Sequence, residues 1–459
     1  MNIYINVEIT SRELDSKLLL AAVAAANGHE VIVSDLESII KGMNKGILVP
    51  GLFHTKSLTP ADHKIARYKS IIDKGFIITS SDEEGGLDLD GYEEFSKTRF
   101  SDQMIGFASA VFGWGPDDVE TLKKKYPNHS SKIFKTGAPR VDLWKSVLSD
   151  YWKVPKEMPK RPFLLISSNL GVVNGYRSFY ETAKTRQALG YFQRSPEKFK
   201  REFKRASEGY LKTGFFIEAI EYLANNNNGY DIVLRPHPSE DTEVWKTYLK
   251  NIPNVHVIRE GSISAWVKNA FVIMHNGCTT AIEATISKKP LITYMPFKTM
   301  FDNDPPNKLG YRVQSPQELL EKVNSIFNNV QHAQNKNDYE QISEIVSKKV
   351  YLDTKELAVE KIVKVWNNLE NDRFSKTCNW TKFHWLLKAI RLRKMPGNII
   401  RGLLKGKLKI YDINNKFPTL DKKDVYERVS RFQKILGITD LNCKVLSDRT
   451  ILIKRKISD

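Results

Sequence analysis

Three short polar motifs each follow directly after an apolar run, and the first of them is acidic. The run from Phe76 to Thr79 leads into the loop 82–86 (DEEGG). Adjacent carboxylates with a tight glycine turn behind them could supply a general base that removes a proton from an incoming hydroxyl. Asp82 and Glu83 are the candidates for this base. The alternative is that the acidic loop is only solvated surface, and the residue types alone do not decide between the two.

The second motif is the string Arg235-Pro236-His237-Pro238, which follows the apolar run 231–234. Arg235 offers a planar guanidinium suited to phosphate oxygens. His237 could donate a hydrogen bond or a proton to a leaving phosphate oxygen. The prolines on both sides restrict the backbone of the histidine. A single histidine is more often structural, but this string at the end of a strand favours a functional one.

The third motif follows the run 271–274 and contains Gly277, Cys278, Thr279 and Thr280 before a predicted helix. Glycine and hydroxyl residues at a helix N-terminus can build an anion site from backbone amides, hydroxyls and the helix dipole. Ordinary N-capping by either threonine is the compatible alternative. Glu283 lies one turn further on and either holds ribose hydroxyls or is a solvent-facing charge. Phosphate and ribose contacts together predict a nucleotide ester as the ligand.

The elements around these motifs alternate between strands and helices. A strand at 3–7, a helix at 11–27 closed by Gly28 and a strand at 30–33 form a βαβ unit. The pattern predicts an α/β fold with two doubly wound Rossmann-like domains, in which ligands bind beyond the carboxyl ends of the strands. A Lys/Pro-rich stretch near 144–161 separates the domains, which are predicted at 1–155 and 156–370, with a basic helical extension at 371–459. Further strands are predicted at 46–49, 75–78, 108–112, 133–136, 162–168, 232–234, 256–258, 271–274 and 291–294.

Composition excludes several classes of protein. The chain has 459 residues, 41% of them hydrophobic and 27% charged, and a formal net charge of +18. Its three cysteines form no CxxC pair, so neither a disulfide framework nor a zinc cluster is predicted. No P-loop, GxGxxG or HExxH motif occurs, so no cofactor and no metal are predicted. The sequence shows no signal peptide and no apolar run of transmembrane length, which predicts a cytoplasmic protein.

The segment 374–410 is basic and aromatic. It contains ten Lys and Arg residues and no Asp or Glu, together with Trp380, Phe383 and Trp385. This composition is typical of an interfacial helix on an anionic membrane. A packed helical appendage with a basic outer face is the alternative, and the sequence favours neither.

The three motifs in this order resemble those of GT-B glycosyltransferases that use CMP-activated acidic sugars, such as bacterial sialyltransferases and capsule Kdo transferases. The chain up to about residue 369 is also similar to surface carbohydrate biosynthesis proteins, through Glu8, Arg12-Glu13, Gly28-His29 and the stretch 136–140 (TGAPR). In this chain Cys278 stands where the family pair normally begins with serine, which leaves the register of the hydroxyl pair open.

The resemblance implies a role for each motif. Asp82 or Glu83 would be the base, His237 would bind or protonate the CMP phosphate, and Thr279 and Thr280 would bind it through their hydroxyls. The full set of predicted nucleotide-binding residues is Arg235, Pro238, Gly277, Cys278, Thr279, Thr280 and Glu283.

The implied function is a metal-independent glycosyltransferase that moves a CMP-activated ulosonic acid to a glycan or lipid-linked acceptor. Such an enzyme could stabilise the leaving phosphate by electrostatics alone. A CDP-glycerol-type glycerophosphotransferase and a UDP- or GDP-sugar transferase are alternatives. From other classes, the alternatives are a non-catalytic sugar-binding homologue and a nucleic-acid-binding protein. The net charge favours nucleic acid, but no nucleic-acid-binding motif occurs.

Overall fold

The computed structural model describes residues 1–83, 92–188, 190, 192–193, 196–227, 229–299, 305–328, 344–352, 355–369, 374, 376–404 and 417–456. It divides the chain into two compact units. The first unit comprises Met1–Tyr151 and Ser347–Asp459, and the second comprises Trp152–Val346. Each unit is built on a sheet of mainly parallel strands with helices around it, so the predicted pair of doubly wound Rossmann-like domains is confirmed.

The strands and helices are numbered in chain order. The strands are β1 (Asn2–Asn6), β2 (Glu30–Ser34), β3 (Leu52–Thr55), β4 (Ile77–Ser81), β5 (Ala108–Gly113), β6 (Ile133–Lys135), β7 (Phe163–Ser167), β8 (Asp231–Arg235), β9 (Val255–Val257), β10 (Val272–His275), β11 (Leu291–Tyr294), β12 (Tyr311–Val313), β13 (Leu441–Ser447) and β14 (Thr450–Arg455). The helices are α1 (Thr10–Ala26), α2 (Leu36–Asn44), α3 (Asp62–Asp73), α4 (Tyr92–Arg99), α5 (Asp102–Phe107), α6 (Pro116–Lys125), α7 (Pro139–Asp142), α8 (Phe179–Ala188), α9 (Pro196–Asn226), α10 (Thr242–Tyr248), α11 (Ile263–Asn269), α12 (Thr280–Ile286), α13 (Pro316–Asn328), α14 (Ala358–Leu369), α15 (Trp380–Leu404) and α16 (Lys422–Leu436).

The strand order of each sheet fixes where a ligand site is expected. Within the described residues, the first sheet has the order β13-β14-β2-β1-β3-β4-β5-β6 and the second has the order β12-β11-β10-β7-β8-β9. The chain reverses direction across the first sheet between β1 and β3, and across the second between β7 and β10. Ligands of doubly wound sheets bind at such reversal points, outside the carboxyl ends of the strands. The ends of these two strand pairs are therefore the places to examine for chemistry.

The chain after residue 346 returns to the first unit, which differs from the domain boundary predicted at residue 370. Helix α14 packs against α1, and its side chains Val359, Ile362 and Trp366 are buried there. Helix α1 is consequently covered on nearly every side, by the sheet and by α7, α14 and α16. The return of the chain was not visible in the sequence because the contacts that create it join distant residues, such as Asp142 with the amides of Ala358 and Val359 more than 200 positions later.

One predicted strand, 46–49, is wrong. These residues form the turn that ends helix α2, and the strand follows at Leu52–Thr55. Gly46 has a φ of +62°, and the amide of Ile47 donates to the Gly42 carbonyl at 3.0 Å. Because these amides complete the end of the helix, they are not available to a sheet. Within this apolar run Leu48 is buried and Ile47 and Val49 are half-buried, so the run marks packed residues that do not form a strand.

The C-terminal extension is part of the first unit and is not purely helical. Strands β13 and β14 form a hairpin, and β14 pairs antiparallel with β2. In helix α15, Phe383, Leu386, Leu387 and Ile390 are buried in the core of the first unit.

Of the two interpretations of segment 374–410, the described side chains of α15 therefore agree with the packed appendage. Trp385 remains 63% exposed. The side chains from Arg393 onward, and the whole of residues 405–410, lie outside the described part. None of the described helices is long and apolar enough to cross a bilayer.

Candidate functional site

The reversal point of the second sheet brings together a small cluster of hydroxyl and thiol groups. The Oγ of Ser167, the last residue of β7, lies 3.1 Å from Thr280 Oγ1 and 3.3 Å from Cys278 Sγ. Asn169 Nδ2 donates to the Gly277 carbonyl at 2.8 Å. The predicted phosphate loop after β10 is thus joined to the end of β7. Ser167 and Asn169 are not among the predicted site residues, although 166–169 (ISSN) also carries polar residues directly after an apolar run.

Gly277 is required by the shape of this loop. Its φ is +95°, a value that favours glycine. A Cβ at this position would lie 2.9 Å from Asn307 Oδ1. Thr279 precedes α12 in a helical conformation, and its side chain makes no capping hydrogen bond. The alternative that Thr279 is simply an N-cap is therefore not what the structure shows.

His275 holds the same loop from inside the core. The ring is fully buried, its Nδ1 accepts from the Gly277 amide at 3.0 Å, and its Nε2 lies 2.9 Å from Thr293 Oγ1. Burial lowers the pKa of His275 to about 4. The ring is neutral at physiological pH, and its role is to fix the shape of the loop.

The buried neutral His275 should make the stability of the second unit depend on pH. Its folded pKa of about 4 lies below the ordinary value of 6.5. As the pH falls below 6.5, the unfolded chain binds a proton that the folded chain does not bind, so stability is lost until about pH 4. We expect His275 to account for a loss of about 2 kcal/mol between about pH 7 and pH 5. Urea unfolding at the two pH values measures this loss.

The matched variants are His275→Gln, which should reduce the loss by that amount, and His63→Gln, which should not, because His63 is exposed on α3. The same loss in the wild type and in His275→Gln would contradict the assignment.

Glu240 organises the loop that carries the His-Pro motif. Its carboxylate is fully buried and accepts hydrogen bonds from Ser168 Oγ (2.9 Å), the Leu170 amide (3.0 Å), the His237 amide (3.1 Å) and Trp245 Nε1 (2.7 Å). These donors come from the ends of β7 and β8 and from α10. Glu240 therefore ties the His-Pro loop to the loop that follows Ser167.

His237 is exposed at the tip of this loop. Its Nδ1 accepts from the Ser239 amide at 3.2 Å and lies 2.8 Å from Ser239 Oγ. In the neutral ring this contact assigns the proton to Nε2. The tautomer is the one that can donate a hydrogen bond to a ligand oxygen, as the predicted role of His237 requires. Pro238 is exposed beside it.

Arg235 occupies a different environment from the one predicted. Its guanidinium donates to the carbonyls of Glu260 (2.6 Å), Arg259 (3.1 Å) and Gly261 (2.9 Å) and lies 5.1 Å from the centre of the Trp266 ring. Burial lowers its pKa to about 10. These contacts favour a positioning role, in which Arg235 holds the 259–261 loop rather than a phosphate.

Arg259, which is not among the predicted site residues, donates to the Pro238 carbonyl at 2.6 Å and so places a cation beside the His-Pro loop. Glu283 is only 2% exposed. The alternative of a solvent-facing charge at Glu283 therefore does not hold, and its proposed contact with a ribose stays a prediction.

In the first unit, Asp82 and Glu83 lie directly after β4, and both are buried in ion pairs. Asp82 Oδ1 and Oδ2 accept from Arg99 at 2.7 and 3.0 Å. Glu83 pairs with Lys17, whose side chain is completely buried. The simple alternative of a solvated acidic loop is therefore wrong for these two residues. Glu84, Gly85 and Gly86 lie outside the described residues.

Lys17 belongs to a chain of alternating charges that reaches the surface. Glu13, one turn earlier on α1, is 3.3 Å from Lys56 Nζ, and Lys56 is 2.6 Å from Glu8. Burial raises the pKa of Glu13, but Lys56, the Glu8 amide, Arg12 and Lys17 outweigh it, and the net pKa is lowered. Both carboxylates that flank Lys56 thus act with it as one ionic network.

Asn6 Oδ1, at the end of β1, and His54 Nε2, on the neighbouring strand β3, are among the buried polar atoms that have no hydrogen-bond partner within the described residues. Burial lowers the pKa of His54 well below its ordinary value, and Lys17 lowers it further. A buried polar atom without a protein partner can be satisfied by an ordered water or by a bound ligand. The position of these two atoms at the reversal point of the first sheet supports a polar site there.

Comparison with known proteins gives no family for the chain: no family model matches it, and a search of curated proteins finds no match. Solved structures with a similar chain trace include the UDP-GlcNAc 2-epimerase of Methanocaldococcus jannaschii, at 15% identity and a TM-score of 0.46 over 80% of this chain and 100% of that chain. A glycosyltransferase from Rickettsia africae matches at 13% identity and a TM-score of 0.43, over 81% of this chain and 99% of that chain. The UDP-GlcNAc 2-epimerase of Neisseria meningitidis bound to UDP-GlcNAc matches at 12% identity and a TM-score of 0.44, over 80% and 100%. Values of this size do not by themselves identify a substrate or a reaction.

Within the described residues, no group of three or more His, Cys, Asp and Glu side chains is arranged to hold a metal ion.

Proposed function

We propose that the chain is an enzyme that transfers a sugar from a nucleotide-activated donor, and that the donor binds at the reversal point of the second sheet. The observation that supports this most strongly is the cluster of Ser167, Cys278 and Thr280 where β7 and β10 end. Polar groups at this place in a doubly wound sheet are suited to the phosphate of a nucleotide.

The loops around this cluster supply the electrostatics for bond cleavage. When the bond between the sugar and the phosphate oxygen breaks, its electron pair stays on the phosphate, which gains negative charge. His237 Nε2–H and the Thr279 hydroxyl would stabilise that charge, with Arg259 as a nearby cation. Arg235 and Glu240 would act indirectly, by fixing the positions of the 259–261 and His-Pro loops.

The acceptor hydroxyl must lose a proton in the same reaction. Asp82 and Glu83 remain the proposed bases, on the strength of the resemblance described above. Each is paired with a cation, Arg99 or Lys17 respectively. Either carboxylate would have to exchange that cation for the acceptor hydroxyl before it could take the proton.

The identity of the donor is the finer part of the proposal. The motif resemblance favours a CMP-activated ulosonic acid, and the acceptor would be a glycan or a lipid-linked glycan. UDP-GlcNAc, which the structure from Neisseria meningitidis contains, belongs in the same assay as a competing ligand.

Calorimetric titration with CMP, CDP, UDP, GDP, ATP and UDP-GlcNAc tests the proposal. We expect one pyrimidine nucleotide to bind in the micromolar range, and Thr279→Val to weaken its binding about tenfold or more, because the isosteric side chain cannot donate to phosphate. Thr247→Val is the matched control, since its hydroxyl lies on the exposed face of α10 and bonds only to the Glu243 carbonyl in the described contacts. Preference for UDP or UDP-GlcNAc would keep the site and replace the donor. Absence of binding by every nucleotide would contradict the proposal.

A further inference from the structure

Helices α8 and α9 of the second unit form a surface that none of the chemistry above uses. The stretch 176–212, which covers α8 and the first half of α9, has ten Lys and Arg residues, four Glu residues and eight aromatic residues. Basic and aromatic side chains are both enriched in this stretch, which indicates a binding surface rather than ordinary solvated helices. We call the exposed side chains that the structure describes in 176–188 and 196–212 the α8–α9 surface.

A row of aromatic side chains runs along α9. Phe199, Phe203 and Tyr210 are spaced by four and seven residues, so they share one face of the helix. They are 39%, 46% and 57% exposed respectively. Tyr180 on α8 and Leu211 on α9 add two apolar side chains that are 69% and 58% exposed. Exposed apolar side chains in such numbers on two successive helices indicate an interaction site.

The row is ordered by contacts among its own rings. The ring centres of Phe199 and Phe203 are 4.7 Å apart, and Phe179 of α8 lies edge-on to Phe203 with centres 5.0 Å apart. Arg186 of α8 also pairs with Glu202 of α9 at 2.7 Å. The two helices therefore hold the apolar row in place before any partner binds.

Positive charge lies next to the row. Lys200 and Lys204, each one position after a phenylalanine of the row, are exposed on α9. This arrangement fits an anionic partner whose surface also accepts phenylalanine and leucine side chains. Nucleic acid can stack on aromatic rings, but it offers nothing to Leu211. A second copy of the chain would bring the same positive charge to the contact. An anionic lipid surface satisfies both the charge and the apolar row.

The α8–α9 surface is attached directly to the candidate donor site. Gly175 forms an isolated antiparallel bridge with Glu240. The Asp241 amide donates to the Asn174 carbonyl at 2.7 Å, and Arg259 donates to the Tyr176 hydroxyl. The segment that leads into α8 is thereby fixed to the His-Pro loop.

We propose that the α8–α9 surface docks the second unit onto an anionic lipid bilayer, with the lysines and arginines at the headgroups and the aromatic row in the interface. The docking does not depend on the proposed function. Taken together with the proposed function, the docking implies that the acceptor is lipid-linked, because it holds the donor site at the membrane.

Co-sedimentation of the full chain with vesicles tests the docking. We use vesicles of phosphatidylcholine alone and of phosphatidylcholine with about 40% phosphatidylglycerol. The wild type should bind the anionic vesicles at least about tenfold more strongly than the neutral ones. Tyr180→Ser/Leu211→Ser should weaken this binding about tenfold, since two apolar side chains no longer enter the interface. Lys200→Glu/Lys204→Glu should weaken it at least tenfold and remove most of its dependence on salt.

Matched controls carry the same changes elsewhere in the chain. Tyr248→Ser removes an exposed aromatic ring from the second unit, and Lys156→Glu/Lys160→Glu makes the same change of net charge on exposed residues. Both should bind anionic vesicles within about twofold of the wild type. All of these side chains are exposed, so thermal unfolding should show that the variants fold.

Several results would overturn the docking proposal. One is equal binding to neutral and anionic vesicles, or none to either. Another is an equal loss of binding in the Lys156/Lys160 control, which would show that net charge alone acts. A loss only in Trp385→Ser would assign membrane binding to α15 instead. Binding of the wild type to duplex DNA but not to vesicles, weakened by the α9 lysine variants, would identify nucleic acid as the partner. Nucleotide binding is measured separately, so that a failure of the docking proposal can be distinguished from a failure of the proposed donor site.

Discussion

Replacement of Glu240 by alanine is expected to destabilise the second unit by about 3–5 kcal/mol, one of the two largest effects we expect in this chain. The carboxylate is fully buried and receives hydrogen bonds from the Ser168 hydroxyl, the Leu170 and His237 amides and the Trp245 indole. Alanine would leave all of these donors without the acceptor that they have in the folded state. Urea unfolding followed by tryptophan fluorescence measures the loss, because Trp245 itself touches Glu240.

Glu243→Ala is the control for this prediction. Glu243 lies three residues further on and is 74% exposed in a surface pair with Lys246. Its removal should change stability by no more than about 0.5 kcal/mol. At temperatures where Glu240→Ala is still folded, nucleotide binding should also be weakened, because the His-Pro loop has lost its anchor. Similar unfolding curves for the two variants would show that Glu240 does not organise the loop.

The second large effect is expected at Lys17. Lys17→Met should cost about 3–5 kcal/mol in the first unit, since it leaves the Glu83 carboxylate buried without its cation. The double variant Lys17→Met/Glu83→Leu should recover most of that loss, because it removes both buried charges together. The four proteins of this double-mutant cycle are compared by urea unfolding.

Lys41→Met provides the matched control in the same unit. Lys41 pairs with Glu37 at 2.7 Å on α2, but both side chains are about 40% exposed. Loss of this pair should cost less than about 1 kcal/mol. If Lys17→Met were as mild as Lys41→Met, or if the double variant were no more stable than Lys17→Met, the buried pair would not have the strength that we assign to it.

Local patterns in the sequence predicted much of the fold. Strand β11 begins and ends at the predicted residues, Leu291–Tyr294. A short apolar run is sufficient to indicate such an element. Strand β3 was missed because its four residues include His54 and Thr55, which do not read as apolar, and because the more apolar run at 46–49 precedes it. Pairing of β14 with β2 was also missed, since nothing local specifies a partner about 420 residues away.

The position of the candidate site was also predicted from local patterns, but the roles of its side chains were predicted only in part. Polar residues after apolar runs show where strands end, so the three motifs lie at the ends of β4, β8 and β10. A motif does not show how its side chains are used. Arg235 bonds to backbone carbonyls, and Glu240, whose buried carboxylate organises the His-Pro loop, is not among the predicted site residues. The buried ion pair of Lys17 could not be predicted from the sequence, because its partner Glu83 is distant along the chain and a lysine on a helix is normally exposed.

Hydrogen exchange in the presence and absence of a saturating nucleotide tests the central claim most directly, namely that the second unit binds the donor at the reversal point of its sheet. We expect slower exchange in peptides that cover 167–170, 236–240 and 275–281, and little change around residues 6–17 and 80–83. Protection of the first unit alone would move the nucleotide site to the Lys17 cluster. The absence of protection anywhere in the chain, with every nucleotide at saturating concentration, would contradict the account.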